Sequence, residues 1–117
     1  MPLEDRDAAC LWDMLQAARA VVEMMEVHDL PGFLDNRMLQ RAVERCVEIT
    51  GEAARHVSQQ GQDSTPEIPW RGIIGQRNIL AHEYGQVDHE LLYKTVVDDV
   101  PELIRYLEIT LPPVAED

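Results

Sequence analysis

The stretch DAACLWDMLQAARAVVEMM, Asp7 to Met25, decides the fold class. Its apolar residues Leu11, Met14, Leu15, Ala18, Val21, Val22 and Met25 recur at intervals of three and four, which gathers them on one stripe of an amphipathic helix. The helix should stop near His28 to Gly32, where Asp29, Pro31 and Gly32 combine a turn former, a helix breaker and a flexible residue.

The same period continues downstream. A second long helix is predicted from Asp35, as N-cap, to Gln60. Leu39, Ala42, Val43, Cys46, Ile49, Thr50, Ala53 and Val57 would share its apolar side, with Arg41, Glu44, Arg45, Glu48 and Arg55 on a solvated face. Gly51 inside this helix costs about 1 kcal/mol relative to Ala, so its presence points to a close helix–helix approach. GQDSTPEIP, Gly61 to Pro69, reads as a loop. A third helix is predicted from Trp70 to about Ala81, with Gly85 as terminator and Asp88 as cap of the next. That fourth segment runs from His89 to about Thr110 with Leu91, Leu92, Thr95, Val96, Val100, Leu103, Ile104, Leu107 and Leu111 on its apolar side. Pro101 makes it either one kinked helix or two, with the proline opening the second.

No alternating strand pattern appears, so the expected fold is all-α, an up-and-down bundle of four to five helices in one domain spanning residues 1–117, with 113–117 frayed. Apolar surface left over in so small a bundle makes a homodimer the expected state. The chain is 45% hydrophobic, and no apolar run approaches the roughly 20 residues that cross a bilayer. The opening MPLEDRDAAC has no secretory signal pattern, which predicts a cytoplasmic protein. Cys10 and Cys46 stand alone on helices and read as buried reduced thiols. No metal-ligand spacing, Ser–His–Asp order or phosphate-cradling glycine loop is present, so neither metal nor cofactor is expected. A net charge of −12 works against broad affinity for nucleic acid, although Trp70 to Tyr84 carries two arginines and His82 against Glu83 alone.

Within that locally basic stretch lies RNILAHEY, Arg77 to Tyr84. Trp70, Ile73, Ile74, Leu80, Ala81 and Tyr84 mark an apolar stripe, and Arg77 falls in the middle of it. A guanidinium there must be paired, snorkel to water or line a cleft; a structural ion pair with Glu52 is one outcome, a functional cleft the other. His82, five positions on, lies about 140° round an unbroken helix from Arg77. Either the helix loosens before Gly85 and swings His82 toward Arg77, or the two converge on a ligand from the sides of a cleft. His28, His56 and His89 stand alone near helix ends or on exposed faces and receive no role.

PEIPWRGIIGQRNILAHEY, Pro66 to Tyr84, resembles the signature region of the HEPN superfamily, in particular its HepT-like branch. Arg77, His82 and Tyr84 match the pattern arginine, four residues, histidine, any residue, tyrosine, and Asn78 matches the polar residue after the arginine. EITGEAARH, Glu48 to His56, resembles the second-helix pattern of the same family. The resemblance implies a helical homodimer acting as a metal-independent endoribonuclease, the toxin of a toxin–antitoxin pair. RNA would be the substrate, Arg77 and His82 the catalytic residues, and Asn78 a supporting one. It further implies that an MNT-type nucleotidyltransferase antitoxin attaches AMP to Tyr84, whose plain alternative is a core or rim aromatic. The competing functional expectation is a non-catalytic HEPN dimer serving as interaction or nucleotide-binding subunit of a nucleotidyltransferase complex.

Overall fold

A computed structural model of the chain describes residues 4–82 and 87–112. Helix α1 spans Asp5–Met25; Glu4 is extended before it, and Asp5 and Asp7 place negative charge in its first turn, where the helix dipole favours it. The expected stripe is its buried face: Leu11, Met14, Leu15, Ala18 and Val21 are each no more than 1% exposed. The Asp29–Gly32 turn is more ordered than expected. Asp29 accepts a hydrogen bond from the Gly32 N–H and, with Pro31 in the first turn, starts a one-turn helix α2, Leu30–Leu34.

Helix α3, Arg37–Arg55, is capped by Asn36, whose side chain accepts from the Leu39 N–H, and not by Asp35. The reason is that Asp35 still closes α2, its own N–H bonding to the Pro31 carbonyl. The far end also departs from expectation, five residues short of Gln60. Asp7 on α1 takes hydrogen bonds from the Ser58 N–H and hydroxyl, and Ser58 in turn caps a new short helix α4, Gln59–Asp63. That contact ends one helix, begins another, and converts the first part of the expected loop into helix.

Helix α5 runs Trp70–His82, close to the predicted span, with the Trp70 indole donating to the Thr65 carbonyl. Asp88 caps α6, His89–Lys94, as expected. A π-helical turn, Thr95–Asp99, then leads into α7, Val100–Thr110, with Pro101 in the first turn of α7. The widened turn is the fold's answer to the proline, which has no N–H for the preceding carbonyls and crowds them in a regular helix.

Among the described residues there is no strand, and the architecture is all-α. α3 lies between α1 and α5, and α7 packs on the other side of α1. The core has two parts along α1: one around Phe33, Val43, Val47, Leu92 and Val96, the other around Leu11, Met14, Trp70 and Leu107. Two details of α3 differ from expectation. Its most buried residues are Val43, Val47, Thr50, Gly51 and Ala54, while Ile49 is exposed and Cys46 and Ala53 are half-buried on a second apolar strip. Glu44, placed on the solvated face by sequence, is buried and holds the His89 ring at 2.7 Å and Arg41 at 3.3 Å. No helix of the described residues is long and apolar enough to cross a membrane.

Candidate active site

The site begins with a glycine. At Gly51, a Cβ would fall inside contact distance of the Arg77 Cβ and 2.9 Å from the Ile73 carbonyl oxygen, so only a residue without a side chain lets α5 lie this close to α3. The close approach expected from Gly51 is therefore present, and the residue it brings against α3 is Arg77.

Arg77 is mostly buried, its side chain 17% exposed, and its Nη2 sits 2.7 Å from Oε2 of Glu52, the residue after Gly51. Its Nη1 donates to the Asn78 side-chain oxygen at 3.0 Å. The N–H vectors of the guanidinium do not aim at Glu52 Oε2, and among the described residues the buried Arg77 Nε has no hydrogen-bond partner, so the pair is a charge contact. Glu52 is itself shared: its Oε1 lies 3.4 Å from the Arg55 Nε and 3.7 Å from the His56 Nδ1. The ion pair anticipated as one alternative for Arg77 thus exists, and so does the cleft. Arg77, Glu52 and His56 line one open groove of about 610 Å³ between α1 and α3, floored by Ala17, Ala20, Cys46, Ile49 and Ala53.

His82 is elsewhere. α5 stays regular through His82, so the helix does not loosen to bring the ring back to Arg77; His82 is exposed, and no hydrogen bond joins it to Arg77 or Asn78. One chain brings together Arg77, Asn78 and Glu52, and leaves His82 about 140° round the helix. Tyr84 and the terminator Gly85 fall outside the described residues, as does the expected frayed tail.

Sequence reasoning gave His56 no role, yet it shares the Arg77 carboxylate and groove. The signal available was the spacing of Glu52 and His56, one helical turn apart, but only the packing of α5 onto α3 adds Arg77 to that pair. His89 is likewise not alone, being bonded to Glu44. The two cysteines are half-buried rather than buried, and both line the groove. Burial pushes the Cys10 thiol up, reinforced by Asp13 and Asp7 against Arg6; burial also raises Cys46, against Arg45. Both therefore favour the protonated, weakly nucleophilic form. Among the described residues no three His, Cys, Asp or Glu side chains gather as a metal site requires.

Residues 14–109 match the model of the family described as "Ribonuclease HepT-like". A Methanocaldococcus jannaschii protein named "Putative RNase" is 40% identical over 101 residues, covering 86% of this chain and 93% of its own. A Thermococcus cleftensis protein named "Probable ribonuclease HepT" is 37% identical over 93 residues, covering 80% of this chain and 84% of its own. A Caldanaerobacter subterraneus protein, also named "Putative RNase", is 30% identical over 95 residues, with 81% and 85% covered. No solved structure matches.

Proposed function

The chain belongs to the HepT-like ribonuclease family, and from that premise we propose that it is an endoribonuclease toxin whose working residues are Arg77 and His82. The observation that carries this reading is Arg77: its guanidinium lines the wall of an open groove and its contact with the Glu52 carboxylate lies off the donor axis, which leaves its terminal N–H groups to a phosphate that enters the groove. Guanidinium and phosphate pair through parallel N–H···O bonds, an arrangement that the off-axis Glu52 contact does not use.

The chemistry needs no more than the chain offers. Transesterification by a ribose 2′-hydroxyl requires a group to take its proton, one to protonate the leaving oxygen, and a cation for the charge that grows on the phosphorane. Imidazole serves the first need and guanidinium the third, so His82 is the base, Arg77 the electrostatic clamp, and Asn78 orients Arg77 through their hydrogen bond. This route runs without a metal ion. Because His82 and Arg77 point apart on α5, the productive unit is a homodimer in which the two residues meet across the subunit boundary.

Control falls to Tyr84, two residues beyond His82. An MNT-type nucleotidyltransferase antitoxin that attaches AMP there adds bulk and negative charge two residues from His82 and seven from Arg77 along the chain, which opposes the binding of a phosphate by these residues.

The test is RNA cleavage by the purified, unmodified protein in EDTA. Cleavage that persists, and that His82→Ala and Arg77→Ala each abolish with circular dichroism unchanged, supports the reading; an inert wild-type protein overturns it. The Arg77–Glu52 pair also favours a second reading, a non-catalytic dimer that binds nucleotide or partner, and AMP binding without RNA cleavage would select it.

A further inference from the structure

Resting on the ribonuclease reading above, we propose that His56 is a second catalytic histidine of the same site, the general acid that protonates the leaving 5′-oxygen. Breaking a phosphodiester between O5′ and phosphorus requires a proton donor as well as a base, and His82 alone cannot be both in one pass. The groove already contains a second imidazole.

Three features single it out. First, one carboxylate lies near both groups: Glu52 Oε2 is 2.7 Å from Arg77 Nη2 and Oε1 is 3.7 Å from His56 Nδ1, so the ring and the cation that would hold the phosphate flank the same side chain. Second, the His56 Nδ1 lies 2.9 Å from the Glu52 carbonyl oxygen. A carbonyl only accepts, so Nδ1 carries the hydrogen and Nε2 is left as the atom that exchanges protons with substrate. Third, the ring is 45% exposed and lines the groove, as a group that must reach substrate has to. The charged and titratable groups of the groove and its rim are Cys10 and Asp13 from α1, Arg45, Cys46, Glu48, Glu52 and Arg55 from α3, and Arg77 from α5.

The step balances. The 2′-hydroxyl gives its proton to His82, and its oxygen bonds to phosphorus while Arg77 holds the non-bridging oxygens. The P–O5′ bond then breaks as protonated His56 passes the Nε2 hydrogen to O5′. The products are a 2′,3′-cyclic phosphate and a 5′-hydroxyl, and proton exchange with water resets both rings.

A substrate in which sulfur replaces the leaving 5′-oxygen tests this directly, because a thiolate departs without a proton. His56→Ala and His56→Gln should each slow cleavage of ordinary RNA by about 10²- to 10⁴-fold, the usual worth of a positioned acid. On the sulfur-bridged strand both should return to within about tenfold of wild type, while Arg77→Ala stays inactive on either substrate. Circular dichroism establishes that the variants fold. His56→Gln cleaving ordinary RNA within about threefold of wild type overturns the proposal, and so does an equal defect on both substrates, which is the mark of a structural role. A wild-type protein inert toward RNA overturns the ribonuclease reading and this one together; an active wild type with an active His56→Gln overturns this one alone.

Discussion

Glu52 is the residue on which the site turns, since one carboxylate contacts Arg55, His56 and Arg77. Its side chain is 41% exposed overall although the Oε2 facing Arg77 is buried, and a glutamine there keeps an oxygen for Arg77, so losing the charge should cost only about 1 kcal/mol. Its value is geometric. With Glu52 absent, Arg77 keeps its Asn78 contact and gains freedom to swing, so a phosphate bound to it is held less well in line. Glu52→Gln should therefore leave the melting temperature within a few degrees of wild type. The same change should lower kcat by about tenfold or more, with KM changing less. Steady-state kinetics beside a thermal melt checks both halves, and Glu52→Asp, which keeps the charge but shortens the reach, separates the causes: kcat still low points to positioning, kcat restored to charge alone. Equal kcat in wild type and Glu52→Gln would mean that Arg77 needs no such support.

At the scale of elements, the contact that matters is α3 against α5. Gly51→Ala gains about 1 kcal/mol of helix propensity but forces a methyl against the Arg77 Cβ and the Ile73 carbonyl, neither of them the loose end of a side chain, and overpacking of that kind costs about 1–3 kcal/mol. The clash wins, so the variant should be less stable by up to about 2 kcal/mol, and α5 should shift outward with Arg77 on it. Chemical denaturation measures the first effect and RNA cleavage the second; a Gly51→Ala protein as stable and active as wild type would refute the tight crossing. This crossing was legible in the sequence, because an unfavourable glycine in a long apolar-faced helix has few other uses. Helix identities were legible for the same reason, the three-and-four spacing of α1 being unambiguous. Boundaries were not: α3 ends early because Ser58 bonds to Asp7, 51 residues away, and no local rule sees that partner. The face of α3 was also ambiguous, since Val43, Val47 and Ala54 form one apolar strip and Cys46, Ile49 and Ala53 another; α1 and α5 flank the helix on different sides, so both strips are used. At the site, Arg77 announced itself by interrupting an apolar stripe. His56 could not, because its significance depends on a helix packing that joins it to a residue far along the chain.

The whole molecule imposes two conditions that no single element reveals. Its net charge of −12 repels a polyanion at long range, so RNA affinity must come from the few cations at the groove and should fall only gently with salt, since few phosphate contacts release few counterions and screening relieves the repulsion. The second condition follows from the proposed reading, in which the site is divided between subunits. Arg77 and His56 line the groove of one chain, while His82 lies about 140° from Arg77 round α5, so on that reading His82 of the partner subunit completes the set. Two inactive dimers then become partly active when their subunits exchange, provided that their lesions lie in different halves of the site. Mixing Arg77→Ala with His82→Ala protein leaves half the dimers mixed, each with one intact site of two, and should restore roughly a quarter of wild-type cleavage. His56→Ala mixed with His82→Ala should recover likewise. His56→Ala mixed with Arg77→Ala should not, because those lesions fall in the same half and every site lacks one or the other. Recovery in that third mixture would separate His56 from Arg77, and failure of all three after confirmed exchange would place the entire site within one chain.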